Sequence, residues 1–229
     1  MVIYMDGFEK LEKLIGKENY DKIRNTTVLI IGLGGVGGYV CESLARCNIK
    51  KLILVDYDTI DSTNINRQII ALKSTIGMKK VEVFKNRIKD ISDTKVEIID
   101  KKITLNNIQE LFNEKIDYLV DACDTLEVKK EIIRQCLRRK IKFISSMGTA
   151  NKIKVEKLKI IDIRKTSYDP IAKIIRKMLK EENIKEKITV LSSDEPPLKT
   201  GVLASNSFVP PAAGLMIGNY IIRDVIKWK

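Results

Sequence analysis

Histidine is absent from all 229 residues. That removes the commonest general base, the commonest metal ligand and any Ser-His or Cys-His nucleophile pair. Cysteine is scarce: Cys41, Cys47, Cys123 and Cys136 form no CxxC pair and no framework spacing. Neither a zinc site nor a disulfide scaffold is therefore expected, and the thiols read as small buried apolar residues in a reducing, cytoplasmic setting. Charge breaks every apolar stretch well short of the roughly 18 residues a membrane span needs, and the N-terminus lacks the basic-then-apolar order of a signal peptide. There is no internal repeat and no low-complexity tract.

What remains is ordinary for a globular chain, with 44% hydrophobic and 31% charged residues. The length favours a single domain, 1–229, with a nucleotide-binding half over about 25–150 and a substrate or dimer part over 151–229. The net charge of +12, from 42 Lys and Arg against 30 Asp and Glu, has two readings. It is either an attraction to a polyanion or a compositional bias toward Lys and Ile.

The organising stretch is 28–56. Four apolar residues, 28–31, run into Gly32-Leu33-Gly34-Gly35-Val36-Gly37, the pattern of a buried strand ending in a glycine turn that opens a helix. Such glycines let main-chain N–H groups approach a phosphate where the helix dipole favours negative charge. A second apolar run, 52–55, ends in Asp56, about 20 residues on, where a carboxylate can accept ribose hydroxyls. The competing reading is a glycine turn used only for close helix-sheet packing.

Elsewhere the periodicity predicts a helix over 8–25, strands at 96–99, 118–120, 142–145 and 158–163, a short helix at 105–112, and a helix from Asp124, as N-cap with Glu127, through Arg139. A basic-faced helix follows Gly77. Asp169-Pro170 predicts an N-cap and first-turn proline for a helix with Ile171, Ile174, Ile175, Met178 and Leu179 on one face. Lys173, Arg176, Lys177 and Lys180 take the opposite face, either solvated or in contact with RNA phosphates. Residues 192–210 read as a long structureless segment, and 211–228 as a closing helix. The whole describes an α/β fold, a Rossmann-like and mostly parallel sheet with helices on both faces and a C-terminal extension.

The polar stretch after the second strand brings Asn64 and Arg67 to the carboxyl edge of the sheet, with Lys80 and Asp124. With Asp56 this set suits a triphosphate better than a nicotinamide: cations for developing charge, one carboxylate for Mg²⁺, one for the ribose. Hydride transfer needs a further domain with its own acid-base group, and there is no histidine and little sequence left for one.

At these residues the sequence resembles the E1-like adenylating superfamily, which includes ubiquitin-activating enzymes and ThiF and MoeB type proteins. The resemblance is carried by the IGLGGVGG stretch, Leu54-Val55-Asp56-Tyr57-Asp58, Thr63-Asn64-Ile65-Asn66-Arg67-Gln68, Thr75-Ile76-Gly77 with Lys80, and Asp121-Ala122-Cys123-Asp124. It implies ATP bound by Gly32, Gly34, Gly35, Asp56, Asp58, Asn64, Arg67, Gln68 and Lys80, with Asp124 holding Mg²⁺ and Arg67, Lys80 and Asp124 serving catalysis. Within the superfamily, Ser145-Ser146-Met147-Gly148-Thr149-Ala150, Asp162-Ile163-Arg164-Lys165, Asp169-Pro170-Ile171-Ala172 and Ser207-Phe208-Val209-Pro210-Pro211 are similar to the tRNA threonylcarbamoyladenosine dehydratases. That similarity implies adenylation of a threonyl carboxylate beside the anticodon and ring closure that expels AMP. It also implies tRNA as partner, a homodimer, and room for a monovalent cation and for a sulfur-transfer or activating protein. The family's N-terminal arginine, which reaches the phosphates of a partner subunit, corresponds to Lys10, which keeps the charge but not the bidentate fork. The alternatives are adenylation of a small ubiquitin-like sulfur carrier, disfavoured by the missing zinc pairs, and a dimeric tRNA-binding scaffold without turnover.

Overall fold

The computed structural model describes residues 7–228. Its centre is one sheet of β1 (Thr27–Ile31), β2 (Lys51–Val55), β3 (Lys95–Ile99), β4 (Tyr118–Asp121), β5 (Lys142–Ser146), β6 (Leu158–Asp162) and β7 (Thr189–Ser193), ordered β3-β2-β1-β4-β5-β7-β6. All neighbours are parallel except β6, which runs antiparallel on β7 at the edge. Strand order reverses between β1 and β4, and ligands of open α/β sheets bind at such a switch point, beyond the carboxyl ends of the strands.

The helices are α1 (Glu9–Ile15), α2 (Lys17–Ile23), α3 (Gly37–Ala45), α4 (Lys80–Lys89), α5 (Leu126–Arg139), α6 (Pro170–Glu181) and α7 (Val209–Val225). Alternation along β1 separates two cores. Val28 and Ile30 face the layer built by α2, α3, α4 and α7, while Leu29 and Ile31 face α5. A third cluster packs α6 against β7 through Ile175, Met178, Leu179 and Val190. Both faces of the central strands are buried, so those strands read as continuous apolar runs.

Helices α3 and α7 meet at backbone distance. A methyl placed on Gly214 of α7 would lie 2.4 Å from the Val36 carbonyl oxygen, and one on Gly218 would lie 2.1 Å from Ser43 Oγ. No side chain fits there, so the last helix presses directly on the first helix of the nucleotide unit. No helix among the described residues is long and apolar enough to cross a membrane.

The six expected strands form, each within a residue or two of its expected ends, and Asp169 caps α6 by accepting the Ala172 N–H at 2.8 Å. Several expectations fail. The single helix over 8–25 is two, because Gly16 breaks it with φ 81° and ψ 152°; Leu14, expected on its apolar face, is 73% exposed. The short helix at 105–112 is a 3-10 turn over Ile108–Phe112. Asp124 does not cap α5; Thr125 precedes that helix and makes no side-chain cap. Strand β7 occupies residues read partly as a structureless segment. The closing helix starts at Val209, with both Pro210 and Pro211 in the first turn, where a missing N–H costs nothing.

Candidate active site

A cleft of about 500 Å³ opens at the switch point, walled by the glycine turn after β1, the loop after β2, the start of α4 and the loop after β4. The turn is tight for steric reasons. Gly32 has φ 86°, and a methyl on it would sit 2.6 Å from the Ala122 carbonyl oxygen. At Gly37 the same methyl would sit 1.8 Å from the Gly32 oxygen. Only glycine lets the turn close and α3 begin here.

Asp56 holds this turn in place. The buried carboxylate accepts the Leu33 N–H at 2.6 Å on one oxygen and the Asp58 N–H at 2.8 Å on the other. Two of its roughly four lone-pair sites are thereby used, leaving capacity toward the cleft it lines. The loop after β2 is ordered by a capping box: Asp61 accepts the Thr63 N–H at 2.8 Å, and Asn64 Oδ1 accepts the Asp61 N–H at 3.1 Å. Asn64, expected at the phosphates, therefore spends its carbonyl oxygen on the loop.

The cations differ in their partners. Lys80, the first residue of α4, is buried, and its ammonium lies 2.8 Å from Asp58 Oδ2. Arg67 has no carboxylate partner among the described residues. Its Nη1 donates to the Thr63 carbonyl and to Asn66 Oδ1, each at 2.9 Å, which leaves the other guanidinium donors for a ligand. Gln68 is buried beside them, and among the described residues its Oε1 has no hydrogen-bond partner. Across the cleft, Asp124 is exposed, and among the described residues its one hydrogen bond is from Thr125 Oγ1 at 3.3 Å. Among the described residues no three His, Cys, Asp or Glu groups converge. The lone Asp124 carboxylate matches Mg²⁺, which commonly takes one or two carboxylates and fills its shell with phosphate and water.

Behind Asp124 lies an ion pair that periodicity missed. Lys129 and Asp121 are 1% and 0% exposed, with Nζ 3.0 Å from Oδ2. Lys129 also donates to the Ser146 carbonyl at 2.9 Å and Ser145 Oγ at 3.3 Å, while Ser145 donates to Asp121 at 2.5 Å. The pair thus ties the ends of β4 and β5 together and sets the base of the Ala122-Cys123-Asp124 loop. Cys123 lines the cleft. Burial pushes its thiol far above the ordinary range, and the Asp121 carboxylate, which its Sγ contacts at 3.1 Å, adds to the shift. A thiol so held is not a thiolate nucleophile near neutrality. Also unforeseen in the lining are Lys101 and Lys102, the latter with Nζ 5.4 Å above the Tyr57 ring.

Gly32, Gly34, Gly35, Asp56, Asp58, Asn64, Arg67, Gln68, Lys80 and Asp124 all line this one cleft. Lys10 does not; it is exposed on α1. On α6, Lys173, Lys177 and Lys180 are exposed, but Arg176 is turned inward, donating to the Thr166 side chain and to its carbonyl at 3.1 Å. Arg176 thus braces the turn after β6 and does not share the solvated basic face.

Comparison with known proteins agrees with this geometry. Residues 9–191 match the ThiF family. A tRNA threonylcarbamoyladenosine dehydratase of Bacillus subtilis is 40% identical over 241 aligned positions, covering 96% of this chain and 94% of the relative. The crystal structure of Escherichia coli tRNA N6-threonylcarbamoyladenosine dehydratase, TcdA, in complex with ATP superposes with a TM-score of 0.91 at 28% identity, covering 96% of this chain and 93% of the other. Its complex with AMP gives the same TM-score at 27% identity, over 99% and 98%. The chain therefore belongs to the ThiF family and, within it, to the tRNA threonylcarbamoyladenosine dehydratases.

Proposed function

We propose that this protein is an ATP-dependent tRNA threonylcarbamoyladenosine dehydratase. The observation that carries the reading is one cleft at the sheet's switch point that holds Arg67, a guanidinium without a carboxylate partner among the described residues, and an exposed carboxylate, Asp124. Asp56 binds the ribose, the glycine turn receives the phosphates on its N–H groups, and Arg67 and Lys80 neutralise charge as it develops. Asp124 would hold Mg²⁺, which would supply positive charge to offset that of the triphosphate.

A carboxylate oxygen of the threonyl group attacks the α-phosphorus, the bond to the bridging oxygen breaks, and pyrophosphate leaves. A neighbouring nucleophile of the same modified base then closes a ring on the activated carbonyl. It loses its proton, and AMP departs with the former carboxylate oxygen. The nucleoside is lighter by one water. Because the second nucleophile is already attached to the substrate, proximity replaces an enzyme thioester. A homodimer in the cytoplasm completes the reading, with Lys10 of a second copy the candidate to reach the phosphates and the exposed lysines of α6 candidates for tRNA phosphates.

The test is mass spectrometry of nucleosides from tRNA carrying threonylcarbamoyladenosine, incubated with the protein, ATP and Mg²⁺. Loss of one water, dependent on ATP, is expected. Asp124→Ala should abolish it while changing stability by less than about 0.5 kcal/mol, since the residue is exposed and bears no buried partner. Full activity of that variant would refute the site. No mass change with ATP bound would redirect the search to a carrier-protein carboxylate.

A further inference from the structure

Gly34, Gly35, Arg67 and Ala122 of the cleft also line a second, smaller cavity of about 280 Å³. Its outer wall is a strap, residues 198–208, that crosses from β7 to α7. The strap is irregular, yet asparagine side chains sew it down. Asn151, itself at φ 56°, donates to the Val202 carbonyl at 2.9 Å and accepts the Ala204 N–H at 2.6 Å, and its backbone N–H reaches the Ala204 carbonyl at 2.8 Å. Asn206 donates to the Lys152 carbonyl at 2.7 Å and accepts the Phe208 and Val209 N–H groups. Asn66 makes the third stitch, donating to the Ser205 carbonyl at 3.0 Å.

So firmly held a segment would be expected to bury its apolar side chains. Instead Leu203, which lines the cavity, is 90% exposed. An apolar side chain presented on a fixed backbone, in a cavity that shares Arg67 with the cleft, is a surface for another molecule's flat or apolar group. Asn66 adds a second property. The same amide whose nitrogen holds the strap uses its oxygen to accept Arg67 Nη1 at 2.9 Å. One side chain therefore joins the wall on the acceptor side to the guanidinium on the phosphate side.

We propose that Asn66 is a positioning residue that couples the strap, as the platform for the acceptor nucleotide, to the presentation of Arg67. The acceptor's identity rests on the proposed function; the coupling does not. Asn66→Asp separates the two halves of the role. A carboxylate still accepts from Arg67, more strongly, but sets an oxygen against the Ser205 carbonyl where a donor stood. Asn66→Ala removes both links.

Hydrogen exchange of the strap peptide with and without ATP is the first readout. ATP should slow exchange in the wild type about fivefold, the worth of roughly one net hydrogen bond, and in neither variant. The second readout is kinetic. Asn66→Asp should raise KM for the modified tRNA about fivefold and weaken ATP through the carboxylate partner it gives Arg67, a loss that salt screens, whereas Asn66→Ala should weaken both irrespective of salt. A merely structural stitch would lower stability in both variants without splitting the two affinities at high salt. Strap protection by ATP in Asn66→Asp, or an unchanged KM for tRNA, would overturn the coupling. If ATP protects the wild-type strap but tRNA is not turned over, the coupling stands and the acceptor's identity falls.

Discussion

Lys129→Met is the substitution with the largest consequence that the structure predicts outside the cleft. The ammonium has three donors, and all three are used, on Asp121, Ser145 and Ser146, in surroundings that leave the pair essentially no solvent. Methionine fills the same space with no donor. Asp121 would then keep only Ser145 and the Cys123 groups, with its carboxylate still buried. Breaking a buried pair from one side costs about 3–5 kcal/mol, because the penalty is that of the charge left behind. For a chain of this size each kcal/mol lowers Tm by about 2–4 °C, so a fall of about 6–20 °C is expected. Urea unfolding should show a lower midpoint at unchanged slope. Adding Asp121→Asn should recover at least about 2 kcal/mol, since the stranded charge is then gone. A cost below about 1 kcal/mol for Lys129→Met, or strict additivity in the double variant, would refute the reasoning.

Gly214→Ala should cost about 1–3 kcal/mol by overpacking and should also weaken ATP binding, because its methyl meets the Val36 carbonyl at the start of α3; isothermal titration and thermal melting would report the two effects. Glu42 gives a pH test. Burial pushes its carboxyl up, but Arg87 at 2.7 and 3.0 Å and Arg46 at 2.7 Å outweigh that and hold it below its ordinary value. With the folded value depressed, its contribution is fully present above the ordinary carboxylate pKa of about 4.3 and is lost as pH falls through the folded value. Glu42→Gln should therefore lower stability at neutral pH and flatten the acid limb of the stability curve. For the thiols, burial pushes Cys47 up to about 11 and Cys136 up to about 12, and raises Cys41 and Cys123 as well. A disulfide reagent at pH 7.5 should leave all four unreacted in the native protein, and Cys123→Ser should retain turnover; loss of activity there would reopen a thioester route.

The parts of this molecule written in local pattern were legible from sequence. Strands β1, β2 and β4 are buried on both faces and so announce themselves as apolar runs, and Asp169-Pro170 announces α6 because capping is a contact between near neighbours. The cleft residues after β2 follow from one loop at one sheet edge. What was not legible depends on residues far apart in the chain. Lys129 sits in a run of charges typical of a solvated face, and only Asp121 and Ser145, 8 and 16 positions away on two strands, make it a core residue. Arg176 looks like its lysine neighbours until the Thr166 turn folds back on it. Strand β7 pairs with β5 over only two residues and ends in buried serines, so neither length nor hydrophobicity marks it. Helix 8–25 had the right periodicity, and a single glycine conformation ended it early.

The contact between α3 and α7 bears on synthesis as well as on stability. Helix α3 is complete before β2 is made, but the surface that closes over it, Ala213, Gly214, Ile217 and Ile221, follows every strand of the sheet. Until then Val40 and Leu44 of α3 lack their apolar cover, and the turn that leads into that helix has nothing to press it into shape. A nascent chain should therefore build its sheet first and acquire nucleotide affinity only once α7 has been made. Removing α7 would silence the nucleotide site from a distant part of the sequence, without touching a residue of the glycine turn.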